Sequence, residues 1–77
     1  MNTTTRQSQL GASIRALREV SGLSREDVAR SLNRRAASLY RWETGKGEPP
    51  LGTLRELARV LGAELVVTLR RKPRNGD

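Results

Sequence analysis

Arginine is the side chain with the most chemistry to offer in this sequence. Thirteen of the fifteen basic residues are arginine, and against eight carboxylates they leave a net charge of +7. A guanidinium is a rigid fork of donors that suits phosphate oxygens and the O6 and N7 acceptors of guanine. The excess therefore favours a polyanionic partner. A GC-rich genome produces the same bias, so charge alone does not choose. The missing chemistry is as informative. There is no cysteine and no histidine, which removes disulfides, the usual zinc sites and histidine-dependent catalysis. The carboxylates are not clustered, and Glu43 and Glu48 are split by a glycine loop. No enzyme activity, cofactor or metal is expected.

Seventy-seven residues make one domain, near the lower end of what folds alone. No apolar run approaches the ~20 residues that cross a bilayer, and no signal-peptide core is present, so a cytoplasmic location without membrane contact is expected. The scaffold that would present the arginines is legible from its punctuation. Leu10, Ile14, Leu17 and Val20 recur at helical spacing in a first helix that starts between Thr5 and Ser8 and ends at Gly22. Gly11 lies inside it, at a cost of up to ~1 kcal/mol relative to alanine, and suggests a close helix crossing. Ser24 and Asp27 form a capping box for a second helix, with Leu23 packing inward just before it. After the loop Gly45–Pro50, Leu51, Leu54, Leu57, Ala58 and Leu61 share one face of a further helix closed by Gly62.

The centre of the chain is SREDVARSLNRRAASLYRWETG, residues 24–45. Val28, Ala29 and Leu32 share a face of one short helix, and Leu39 and Trp42 share a face of the next. Between them Asn33 tolerates the left-handed conformation at a helix end. This is the layout of a helix-turn-helix, whose second helix, here about 36–44, enters a DNA major groove. An ordinary αα-hairpin has similar spacing. The last apolar stretch changes period: Leu65, Val67 and Leu69 alternate with Val66 and Thr68, which predicts a β-strand. Without a partner in a helical chain, it is expected to pair with a second copy in a two-fold dimer. A terminal helix or a tail lying on the bundle is the other reading. The expected organisation is a flexible leader over 1–6, a helix-turn-helix domain over 7–62, a dimer strand over 63–71 and a disordered basic tail over 72–77.

With these segments in order, LREVSGLSREDVARSL followed by LYRWETGKGEPPLGTLRELARVLG resembles the phage-repressor and Cro-like helix-turn-helix family, also called the XRE family. The resemblance covers about residues 10–62. It implies a compact all-α, lambda-repressor-like bundle of four, at most five, helices. It also implies a homodimeric transcriptional regulator, a repressor above all, that binds double-stranded DNA at an inverted repeat in the nucleoid. The ending LGAELVVTLRRK is similar to HipB-type antitoxins, which implies a toxin as a further protein partner.

The family pattern places Glu43 and Arg18 in a structural ion pair. The DNA-reading surface it implies is Arg35, Ala36, Ala37, Ser38, Tyr40 and Arg41, with Arg35 and Arg41 as the guanine readers. Ala36 and Ala37 depart from the family, which often carries glutamine or serine there. They offer only contact with a thymine methyl or close approach. Ser24, Arg25, Thr44 and Lys46 are the expected phosphate anchors, and Arg55 and Arg59 are read as solvated surface. A protein-interaction adaptor on the same fold, without DNA readout, is the alternative from a different functional class.

Overall fold

The computed structural model describes residues 3–73, with side-chain surroundings from residue 9 onward. Residues 1–2 of the expected leader and 74–77 of the expected tail lie outside the described residues. Four helices follow one another: α1 Thr3–Val20, α2 Arg25–Ser31, α3 Ala36–Glu43 and α4 Leu51–Val60. The all-α bundle is as expected, although α1 begins at Thr3, ahead of the anticipated caps.

Each helix stops in the same way. A residue with positive φ follows the last turn, at Gly22, Asn33, Gly45 and Gly62. The amide after it reaches back five residues, as in Leu23→Arg18, Arg34→Ala29, Lys46→Arg41 and Ala63→Ala58, at 2.8–3.2 Å. This closure satisfies carbonyls that a helix end leaves without partners. Asn33, at φ 57°, is the one such position without glycine, and asparagine is among the few side chains that adopt it cheaply. At the other end of α2 the capping box is complete. The Asp27 amide donates to Ser24 Oγ and the Ser24 amide donates to Asp27 Oδ2, both at 3.0 Å. The backbone donation from Ser24 is the main reason the Asp27 carboxyl sits below its ordinary range.

The core joins Ile14, Val28, Ala29, Leu32, Leu39, Trp42, Leu57 and Leu61, with Leu10, Leu23, Leu54 and Ala63 packed around it. Helix α3 lies against both α1 and α2, while α4 rests on α2. Thus the second helix of the motif is gripped from two sides by its scaffold. Three expected core residues are exposed, Leu17 the least of them at 39%. Val20 is 86% exposed and Leu51 is exposed. The buried stripe of α1 is Gly11, Ile14 and Arg18, and that of α4 is Thr53 and Leu57, continued by Leu61 at its C-cap. Val20 closes a last turn that overhangs the bundle, so spacing alone overcounted the stripe.

The C-terminal strand is a correction. Among the described residues none is in a strand, and 63–73 carry no regular structure. Leu65 borders an apolar groove formed with Leu10, Leu17, Leu54 and Leu61, while Val66, Val67 and Leu69 are exposed, Leu69 at 97%. β-Branched alternation supplies propensity, but a strand also needs a neighbour to complete its hydrogen bonds. The four helices present no such edge.

Candidate nucleic-acid interface

The motif turns its polar face outward by simple periodicity. Leu39, Trp42 and Glu43 of α3 are buried. Ala37, Tyr40, Arg41 and the capping Thr44 are exposed at spacings of three, four and seven, which is one stripe of a helix. Arg35, just before α3, is exposed and extended, with no side-chain capping bond. Ser38 and Ala36 are half-buried, and Ala36 packs against the core. The predicted reading residues are therefore divided. Arg35, Ala37, Tyr40 and Arg41 line the open face, whereas Ala36 is turned inward.

What fixes this face is a buried carboxylate. The Glu43 side chain is 1% exposed, a position an anion tolerates only with partners. Arg18 of α1 embraces it, donating from Nε to Oε2 at 2.7 Å and from Nη2 to Oε1 at 3.2 Å. Arg18 Nη1 donates onward to the Leu23 carbonyl at 2.9 Å. Arg25 adds a third donor from α2, Nε to Oε1 at 2.9 Å. One carboxylate thus ties α1, α2 and the end of α3 together. Burial is the strongest single influence on Glu43 and pushes its carboxyl up. The hydrogen bonds and charges of the two arginines together outweigh it and hold the group below its ordinary range. The Glu43 hydrogen bond likewise raises the Arg18 guanidinium against its own desolvation.

The ion pair of Arg18 and Glu43 stands where the resemblance implied it, but the second arginine was not foreseen. The expected phosphate anchor Arg25 gives one edge of its guanidinium to Glu43. A buried carboxylate on the core face of α3 asks for more than one donor, and Arg25 opens the adjoining helix. That demand was the available signal. Arg34 has a structural role with no local signal in the sequence: its Nη2 donates to the buried Thr53 Oγ1 at 3.0 Å, which ties the turn of the motif to α4.

Several expected contact groups are partly engaged. Ser24 uses its amide and a lone pair in the capping box, leaving its hydroxyl proton to donate. Thr44 Oγ1 donates back to the Tyr40 carbonyl at 2.8 Å. Arg41 Nη2 donates to the Lys46 carbonyl at 3.0 Å, so this guanidinium leans toward the loop 45–50, with Gly47 beside it. Tyr40 is flanked by two cations: the Arg25 guanidinium carbon is 5.3 Å, and Lys46 Nζ 5.7 Å, from its ring centroid. Among the described residues, no group of three or more histidines, cysteines or carboxylates could hold a metal ion. No described helix is long and apolar enough to cross a membrane.

A family model described as a helix-turn-helix domain matches residues 9–71. No curated protein matches the chain. Among solved structures, two crystal structures of the clp gene regulator ClgR from Corynebacterium glutamicum are similar to it. One has 26% identity and a TM-score of 0.71 over 74% of this chain and 61% of that one. The other has 25% identity and a TM-score of 0.73 over 77% and 76% respectively. The chain therefore spans less than two thirds of the first of these relatives.

Proposed function

The chain belongs to the helix-turn-helix domain family, within the XRE-like superfamily, and from that premise we propose that it is a sequence-specific transcriptional regulator. It binds double-stranded DNA as a homodimer and represses the promoter it occupies, acting at the nucleoid in the cytoplasm. The observation that carries this reading is the open face of α3. An eight-residue helix is held rigidly from behind by Glu43, while Arg35, Tyr40 and Arg41 stand in solvent on its other side. Among the described residues, the Arg35 side chain has no hydrogen bond to give up. It is the first candidate for a bidentate contact to guanine, with Arg41 second once it leaves the Lys46 carbonyl. Ala37 allows close approach to a thymine methyl. Ser24, Arg25, Thr44 and Lys46 border the face and would meet phosphates, which set register without reading sequence.

Eight residues at 1.5 Å each make α3 about 12 Å long, enough for one half-site. Two copies on an inverted repeat, with half-sites ~34 Å apart, give a target long enough to be specific. The relatives of known structure, described as a clp gene regulator, fit a role in transcription control.

Fluorescence anisotropy against the chain's own upstream DNA and a scrambled duplex, over a salt series, tests the reading. A preference of tenfold or more, ~1.4 kcal/mol, is expected, and Arg35→Ala should reduce that preference by about 1–3 kcal/mol. Equal binding to both duplexes, unchanged by Arg35→Ala, would leave the arginines as a counterion-release surface. An adaptor without DNA readout would then be the better account.

A further inference from the structure

Arg25, Tyr40 and Lys46 come from three separate segments: the start of α2, the middle of α3 and the loop after it. We propose that they act as one phosphate-binding unit, with the Tyr40 ring serving as a platform for two cations and not as a base reader. The inference rests on the DNA-binding reading above and assigns Tyr40 a part within it.

The geometry is specific to these three side chains. Arg25 and Lys46 place their charges 5.3 and 5.7 Å from the same ring centroid, within the ~6 Å range over which an aromatic face attracts a cation. The Arg25 guanidinium and the Lys46 backbone are each held by further contacts. Arg25 gives its Nε to buried Glu43, which turns that edge inward and leaves its two terminal nitrogens without an acceptor among the described residues. Its side chain keeps 32% of its surface exposed. The Lys46 backbone is held by its closing bond to the Arg41 carbonyl and by Arg41 Nη2 on its own carbonyl.

Among the described residues, no carboxylate forms an ion pair with this group on its solvent side. Lys46 takes part in no salt bridge among the described residues, and Glu43 is buried and shared between Arg18 and Arg25. Two cations drawn to one ring concentrate positive charge there, and that charge attracts an anion. A phosphate presents only acceptor oxygens to the free nitrogens of Arg25 and the ammonium of Lys46. Tyr40, 46% exposed, is needed for the face of its ring. A base reader would need its hydroxyl and freedom to swing into the groove, and two flanking cations restrict that freedom.

The test measures anisotropy of the intact protein on the upstream and scrambled duplexes at several salt concentrations. Tyr40→Leu should weaken both duplexes by the same factor and lower the slope of log K against log salt by about 1. Lys46→Ala should do the same, and the double variant should lose less than the two single losses combined. Tyr40→Phe, which keeps the ring, should restore the slope.

Selective loss on the upstream duplex, an unchanged slope in Tyr40→Leu, or a Tyr40→Phe as poor as Tyr40→Leu would each overturn the proposal. If Tyr40→Leu fails to fold, Tyr40→Met takes its place, since a side chain without a ring must lower the slope that Tyr40→Phe keeps. A wild-type protein that binds both duplexes equally refutes the specific regulator but leaves the slope comparison valid. One that binds neither refutes both.

Discussion

Replacing Gly11 with alanine inverts the usual effect of that substitution. In an open helix interior, Gly→Ala removes backbone entropy from the unfolded chain and stabilises by about 1 kcal/mol. At Gly11 a Cβ would stand 2.5 Å from the Trp42 carbonyl oxygen, 2.6 Å from that of Glu43 and 2.9 Å from the Glu43 carbonyl carbon. All three are backbone atoms, so no rotamer change relieves the clash. To restore an ordinary contact from 3.4 Å upward, α1 must retreat from the end of α3 by roughly 0.9 Å. That movement loosens Ile14 and pulls Arg18 from Glu43. Overpacking of this kind costs about 1–3 kcal/mol, and with little relaxation available it exceeds the helix-propensity gain. A net loss of about 1–2 kcal/mol is expected, which lowers the melting temperature by about 5–15 °C in a domain of this size.

Gly52 supplies the control, because it lies in α4 with nothing within 4 Å of its would-be Cβ. Gly52→Ala should raise the melting point by a few degrees, for about 0.5 kcal/mol. Thermal melts followed by circular dichroism at 222 nm compare the two directly. A Gly11→Ala protein that melts at or above the wild type would refute the close crossing and, with it, the claim that α1 sets the position of α3.

Acid should weaken the fold through Glu43. Because its folded carboxyl is held below the unfolded value of 4.5, its contribution is complete above that pH and disappears as pH falls through the lower folded value. Asp27, also lowered, titrates in the same direction, so Glu43→Gln should flatten part of the acid limb in denaturant titrations and not all of it. A Glu43→Gln profile that parallels the wild type would contradict this. Glu43→Ala, which strands Arg18, should cost about 3–5 kcal/mol, read as a loss of the cooperative melt. Ser24→Ala removes the cap of α2 and should cost about 1 kcal/mol in urea unfolding, while Ser24→Asp should retain most of it. Ile14→Ala should cost about 2–5 kcal/mol. Val20→Ala, in the same apparent stripe but exposed, should stay within about 0.5 kcal/mol, and equal losses would contradict the observed packing.

These contrasts mark where sequence reasoning reached and where it stopped. Helix ends were legible because glycine, asparagine and the Ser24–Asp27 pair act within a few residues of themselves. The central contacts of α2 with α3 were legible because Val28, Ala29, Leu32, Leu39 and Trp42 keep helical period between two fixed turns. Val20 and Leu51 misled, since period does not reveal where a helix overhangs its neighbours. Arg25 on Glu43 joins residues eighteen apart in sequence, and no local pattern encodes that distance. Residues 65–69 have the propensity of a strand but no edge to pair with, and propensity without a neighbour does not make a ladder. Gly11 was visible as a cost in its helix, and its reason, two backbone carbonyls where a Cβ would stand, belongs to tertiary structure.

The most direct test of the regulator account is selection of binding sites from a random duplex pool, with the wild-type protein and Arg35→Ala compared at one salt concentration. The account predicts enrichment of an inverted repeat whose half-sites are centred about 10 base pairs apart, with a guanine preference that weakens in Arg35→Ala. A wild-type pool that emerges no more ordered than it entered would contradict it.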